Sequence, residues 1–168
     1  MYNTLILFGG NMPDTLNLFK RAEEQIILLV GTIKLKSAIY ESAPWGFVAE
    51  TNFYNMVIEV ETELKPDEQL KQLLAIESFL GRERNNSGGY ASRGIDLDIL
   101  FIDDLIIDTK QLTVPHPRLH LRQFTLVPLC EKWGEKIHPS INKTINHLLA
   151  NCDDKATVEK VDFFVYPL

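Results

Sequence analysis

The hydrophobic and polar positions of the chain switch repeatedly between two periods, and the sharpest instance of the shorter one begins at Ile95. Ile95, Leu97 and Ile99 alternate with Asp96 and Asp98, the repeat of a β-strand, whose successive side chains point to opposite faces. The run Ile99 to Ile102 is apolar on both faces, which suits a strand buried on both sides. Near the N-terminus, Thr4 to Phe8 reads as a short strand ending at the turn Gly9-Gly10-Asn11. Leu16, Phe19, Ala22, Ile26 and Leu29 then recur at helical spacing, with Asp14 or Thr15 as cap and Gly31 as the stop. Ile33, Leu35, Ser37 and Ile39 alternate with Lys34, Lys36, Ala38 and Tyr40 in a second strand. A third, from Phe53 to Glu63, places Tyr54, Met56, Ile58 and Val60 on one face and Phe53, Asn55, Val57, Glu59 and Glu61 on the other.

Pro66, Asp67 and Glu68 start a second helix, since proline suits the first turn and acids face the positive end of the dipole. Its stripe of Leu70, Leu73, Leu74 and Leu80 includes Glu77, a carboxylate on a core-facing position that requires a partner. Beyond the Ile95 strand, Asp103-Asp104 reads as a hairpin turn and Leu105 to Ile107 as the returning strand. Phe124 to Leu129 forms a buried turn or helix, Ser140 caps a helix through Ile145, Leu148 and Leu149, and Val158 to Val165 adds a last strand. The first six elements read β-α-β-β-α-β. That order predicts an α+β, ferredoxin-like antiparallel sheet with the helices on one face and a C-terminal extension, and it places Asp96 and Asp98 mid-sheet.

Composition narrows the function classes. The 168 residues, 45% hydrophobic and 24% charged, fit a single domain over 1–168, with no repeats and no dividing linker. A net charge of −6 argues against broad binding to nucleic acid or to anionic membrane, so any phosphate site must be local. The apolar runs are too short to span a bilayer and the N-terminus lacks a signal-peptide pattern, so the chain is expected in the cytoplasm. Cys130 and Cys152 have no CxxC spacing and are expected as free thiols.

Candidate chemistry gathers around the Asp-x-Asp strand. Two carboxylates sharing a face, roughly 6 to 7 Å apart at Cα, either sit at a solvated strand end or hold a cation such as Mg²⁺ together with substrate phosphates. The preceding segment, Arg82-Glu83-Arg84-Asn85-Asn86-Ser87-Gly88-Gly89-Tyr90-Ala91-Ser92-Arg93, is basic and glycine-containing. It has the chemistry of a lid that brings guanidinium groups to phosphate oxygens, or of a plain surface loop. The loop Glu41 to Asn52 carries Pro44-Trp45-Gly46-Phe47, whose rings either wall a ligand or pack on the sheet. Phe53 and Asn55, two apart on one strand face, offer a ring to stack and an amide that reads a heterocycle edge or ties down backbone. Pro115 and Pro117 restrict the backbone on both sides of His116.

Taken together, these motifs resemble the 6-hydroxymethyl-7,8-dihydropterin pyrophosphokinase family of folate biosynthesis. The resemblance rests on Arg93-Gly94-Ile95-Asp96-Leu97-Asp98-Ile99-Leu100, in order with Gly9-Gly10-Asn11, Phe53-Tyr54-Asn55, Glu77, Gly81-Arg82 and Thr113-Val114-Pro115-His116. It covers about residues 2 to 130. The family likeness implies an ATP-dependent diphosphotransferase that moves the diphosphoryl group of ATP to the pterin hydroxymethyl oxygen and releases AMP. It implies that Asp96 and Asp98 hold two Mg²⁺ ions and that Arg82 and Arg93 contact the phosphates during transfer. Arg84, Glu77, Ile99, Thr113, His116 and Arg122 would line the ATP side. Ser42, Ala43, Pro44 and Trp45 with Asn55 would read the pterin edge, Phe53 and Phe124 would sandwich the ring, and Tyr90 would close over it. The enzyme is expected to act as a monomer on small molecules, without nucleic acid or membrane.

Four positions depart from the family pattern. Gly10 stands where Ser is common, a change of one small side chain; Phe53 stands where Tyr is frequent; Gln111, beside Lys110, replaces a basic residue; and Pro117 follows His116. Two other classes share parts of the pattern. A palm-like nucleotidyl transferase or cyclase also pairs carboxylates around metals but releases pyrophosphate. An RNA-binding module of the same strand order needs a basic sheet face, which the charge of −6 opposes.

Overall fold

The computed structural model describes residues 1–43, 51–81 and 94–162. Its centre is an antiparallel pair, β1 (Tyr2–Gly10) and β4 (Phe53–Thr62), in register from Tyr2 opposite Thr62 to Gly10 opposite Tyr54. β5 (Asp96–Ile102) pairs with the other edge of β1, also antiparallel. The far edge of β4 is shared by β2 (Thr32–Lys36) along its C-terminal half and β3 (Tyr40–Ser42) along its N-terminal half, and β8 (Val158–Lys160) pairs with β3. The described strands thus run β5-β1-β4-β3-β8 with β2 also on β4.

Strand alternation sorts the side chains into two cores. Ile6 and Phe8 of β1, Met56, Ile58 and Val60 of β4, and Leu97 and Ile99 of β5 pack under α1 (Thr15–Leu29) and α2 (Pro66–Phe79). Leu5, Leu7, Val57, Leu100 and Phe101 point the other way, against α3 (Gln123–Trp133) and α4 (Ile145–Ala150). Leu100 and Phe101 are neighbours in sequence yet share a core, because the β1–β5 register slips there: Leu5 faces Phe101 while Ile6 faces Ile99. A bulge of this kind lets one strand serve both faces. The C-terminal extension is therefore a second helical layer, and the sheet is covered on both sides.

Several expectations are corrected. β5 is not mid-sheet: among the described strands it has β1 alone as partner and ends the sheet. Its open edge is closed by the segment after β7 (Thr113–Val114), where His116 N donates to the Leu100 carbonyl at 2.9 Å. The strand after the Asp103 turn does not return to β5; β6 (Ile107–Asp108) pairs with β7 in a separate two-stranded sheet. The predicted strand from Ile33 to Tyr40 is split into β2 and β3, because the Ser37 hydroxyl accepts from Val57 N at 3.0 Å and interrupts the ladder. In α1 the buried stripe is Leu18, Phe19, Ala22 and Ile26, while Leu16 and Leu29 are exposed. α1 ends at Leu29, two residues before Gly31, which is not in the left-handed region expected of a helix stop; glycine is required there because a Cβ would overlap the Glu61 carbonyl. Thr144, rather than Ser140, caps α4 through His147 N. The expected last strand is seen over Val158–Lys160, and residues 163–168 lie outside the described set.

Candidate active site

Asp96 and Asp98 stand at the start of β5, both half-buried, with Leu97 between them buried in the α1/α2 core. The alternation puts both carboxylates on the α3 face of the sheet. Leu97 N points off the edge that β1 leaves open and donates to Glu77 Oε1 of α2 at 2.7 Å. Glu77, 2% exposed, is thus the partner-seeking carboxylate of the α2 stripe, and its acceptor fixes the backbone between the two aspartates.

Register shows what faces the acids. Asp96 lies opposite Gly9, Gly9 opposite Asn55, and Asn55 opposite Tyr40, one row across four strands. Directly opposed residues of antiparallel strands share a face. Gly9 has no side chain, so between Asp96 and Asn55, about 10 Å apart at two strand spacings, the sheet forms a bare floor. A Cβ on Gly9 would come within 3.0 Å of Asn55 Nδ2. That nitrogen donates to the Phe8 carbonyl at 3.2 Å, leaving Asn55 Oδ1 as the outward acceptor. Asn55 Oδ1 and Ser42 Oγ are both buried without a hydrogen-bond partner among the described residues. Ser42 lies opposite Phe53, two residues from Asn55 on the same face. Buried polar atoms of this kind carry a desolvation cost that a ligand can relieve.

α3 faces this floor. Phe124 is in its first turn, with the Arg122 guanidinium 5.5 Å from the ring centroid in a cation–π contact. Further along, Glu131 accepts from the Tyr40 hydroxyl at 2.7 Å and from Ala38 N at 3.0 Å, tying α3 to β3. Burial first, and then the Glu131 bond and charge, push the Tyr40 phenol up to about 12. For Glu131 burial acts upward, but the bonds from Tyr40 and Ala38 and the charge of Lys160 outweigh it and hold the carboxyl below its ordinary value. Tyr40 and Glu131 were not singled out in the sequence; the strand alternation around Tyr40 gives the face, but nothing local announces a helix partner ninety-one positions away.

On the outer edge of β5, Thr113 and His116 follow the strand. Burial, then the charges of Arg122 and Arg118, lowers His116 from 6.5 to about 4, so the ring is neutral at pH 7. Its Nδ1 accepts from Arg118 N at 3.1 Å, which leaves Nε2 as the N–H donor. Ile99 adjoins Asp98 on β5, with its side chain in the α1/α2 core. The departure at Gly10 is larger than one small side chain, because a Cβ there would meet the Gly94 carbonyl at 2.7 Å and Thr15 Cγ2 at 2.9 Å. Ala43 is exposed just beyond β3. Pro44, Trp45, Arg82, Arg84, Tyr90 and Arg93 lie outside the described residues.

The donor set suits a hard cation: carboxylate oxygens from two residues on one face, with open positions left for phosphate oxygens, is how Mg²⁺ is usually held. Among the described residues no group of three or more His, Cys, Asp or Glu side chains forms a closed metal cage.

Comparison with known proteins agrees with this chemistry. Residues 5–133 match the family described as 7,8-dihydro-6-hydroxymethylpterin-pyrophosphokinase. A 2-amino-4-hydroxy-6-hydroxymethyldihydropteridine pyrophosphokinase of Bacillus subtilis is 44% identical over 75% of this chain and 75% of its own length. A protein of the same name from Aquifex aeolicus is 37% identical over 82% of this chain and 84% of its own. The folic acid synthesis protein FOL1 of Dictyostelium discoideum is 35% identical over 93% of this chain, which spans only 23% of that longer protein. Among solved structures, wild-type HPPK-DHPS of Plasmodium falciparum superposes with a TM-score of 0.74 at 17% identity, over 89% of this chain and 44% of that one. That likeness concerns the fold.

Proposed function

The chain belongs to the 7,8-dihydro-6-hydroxymethylpterin-pyrophosphokinase family, and from that premise we propose that it transfers the diphosphoryl group of ATP to the hydroxymethyl oxygen of 6-hydroxymethyl-7,8-dihydropterin. The bond from that oxygen to the β-phosphorus forms, the bridge between α- and β-phosphorus breaks, AMP leaves, and the hydroxyl proton is lost. The strand order supports reading the sheet as ferredoxin-like, with the α3 layer added to its other face.

The observation that carries this reading is the row Asp96, Gly9, Asn55: acids at one end, an orphaned acceptor at the other, and a floor without side chains between them. The pterin occupies the Asn55 end. Its ring lies between Phe53 and Phe124, and its donor edge meets Asn55 Oδ1 and the Ser42 to Trp45 stretch. ATP occupies the Asp96 end, where Asp96 and Asp98 would hold two Mg²⁺ ions. When bound, the metal neutralises phosphate charge and aligns the oxygens for in-line displacement. Thr113, the neutral His116 with its Nε2–H, and Arg122 bind the nucleotide from the open edge of β5. Glu77 holds the backbone between the acids through Leu97 N, and its place on the ATP side is assigned by family likeness. Arg82, Arg84, Arg93 and Tyr90 are assigned by family likeness, as phosphate contacts and pterin cover. Proton loss through water, or to Asp98 as the candidate base, completes the transfer, since phosphoryl transfer rests mainly on positioning and charge.

Asn55→Ala tests the carrying observation. It should raise the pterin KM by about tenfold or more, the cost of one specific buried hydrogen bond, and leave the ATP KM within twofold. An ATP KM that rises as much as the pterin KM would place the pterin elsewhere.

A further inference from the structure

The first turn of α3 carries Phe124 but is poorly held by its own helix. Arg122, in the N-cap position, has no acceptor in its side chain to offer the exposed N–H groups. Pro128, inside the helix, lacks the N–H that would bond the carbonyl four residues back, which is that of Phe124. The missing acceptor comes from far along the chain: Asp154 Oδ2 accepts from Gln123 N at 2.9 Å. The other oxygen of the same carboxylate accepts from Ala156 N at 3.0 Å. Two residues later β8 begins, and Val158 lies directly opposite Ser42 of β3, which itself lies opposite Phe53.

The geometry points to Asp154 as a positioning residue for pterin recognition. One carboxylate joins the turn that presents Phe124 to the strand that backs Ser42 and Phe53, and so sets the gap between the two aromatic walls. It belongs to the segment beyond residue 133, outside the stretch that matches the family. A carboxylate is suited to the task because it accepts two N–H bonds at once and favours the positive end of the α3 dipole. The nucleotide side is less dependent on it: of its described residues Arg122 alone adjoins this turn, while His116 is fixed by Leu100 and the start of β5 by Glu77. This assignment rests on the pterin pyrophosphokinase reading above.

Steady-state kinetics of the full chain test it, with each substrate varied at saturation of the other and the melting temperature of every variant recorded. Asp154→Ala should raise the pterin KM about tenfold, equivalent to ~1.4 kcal/mol, with the ATP KM and kcat within threefold of wild type. Asp154→Asn keeps one acceptor oxygen and should fall between, at roughly threefold. Asp153→Ala, an exposed neighbour, should match wild type. A pterin KM within twofold of wild type in both Asp154 variants would overturn the proposal, as would an ATP KM rising in parallel, which marks general loosening. If the Ala variant does not fold, the Asn variant carries the test by the same criterion: a threefold rise confined to pterin supports it, and no rise overturns it. Failure of the wild-type chain to form AMP would instead defeat the functional reading, a distinct result.

Discussion

Glu77 Oε1, on α2, accepts a hydrogen bond from Leu97 N, the one residue between Asp96 and Asp98, at 2.7 Å. Both partners are buried, so the bond has no water to replace it. Glu77→Ala should cost about 1–3 kcal/mol of stability, because it strands a buried N–H. It should also lower kcat by letting the acids shift, whereas Glu77→Gln, which keeps the acceptor, should stay near wild type in both. Urea unfolding and turnover of the pair check this; equal loss in Ala and Gln would mean that the charge of Glu77, and not its bond, is what matters.

Gly9→Ala should damage the pterin end of the row selectively. The added methyl would lie 3.0 Å from Asn55 Nδ2, tight enough to disturb the amide that Phe8 O now orients. A cost of about 1–3 kcal/mol from such crowding corresponds to roughly five- to 150-fold in pterin KM. Wild-type pterin kinetics in this variant would show that the floor is not occupied by substrate.

The Tyr40–Glu131 bond makes the opposite kind of prediction, one of coupling. Tyr40→Phe removes the donor and Glu131→Ala the acceptor, and a cycle through the double variant should show coupling of about 1–2 kcal/mol in unfolding free energy. Additive losses would mean that the two side chains do not act on each other in solution.

The acids, the stacking strand and the odd carboxylate of α2 were legible in the sequence because each breaks or keeps a short-range period: Asp96 and Asp98 alternate with Leu97, Phe53 and Asn55 alternate with Tyr54, and Glu77 interrupts a leucine stripe. What the pattern could not give was pairing. Ile99 to Ile102 is apolar on both faces, as a central strand would be, yet β5 is an edge whose cover is a loop from residues 113 to 116. Burial leaves the same mark on sequence whether strand or loop provides it. Likewise Leu105 to Ile107 follows a turn as a hairpin strand would, but β6 finds its partner in β7. Asp154 carries no local sign at all, because it caps a helix that begins thirty-one positions earlier.

His116 gives a pH dependence with a definite sign. Its folded pKa of about 4 lies below the ordinary 6.5, so between those values the unfolded chain binds a proton that the folded chain refuses. This contribution to stability is complete above pH 6.5 and is lost as pH falls toward 4; His138, also lowered by burial and by His120, acts in the same direction. His116→Gln should lose less stability than wild type between pH 7 and 4.5, the difference being on the order of 1–2 kcal/mol. Parallel losses in chemical denaturation would show that His116 titrates normally.

The central claim is that Asp96 and Asp98 serve diphosphoryl transfer to a pterin. Phosphorus NMR of a mixture of the protein, ATP, Mg²⁺ and 6-hydroxymethyl-7,8-dihydropterin follows it directly. AMP and a pterin diphosphate should appear in equal amounts with wild type, and neither should appear with Asp96→Ala or Asp98→Ala in folded protein. Release of pyrophosphate, formation of ADP, or unchanged product formation by either aspartate variant would contradict the account.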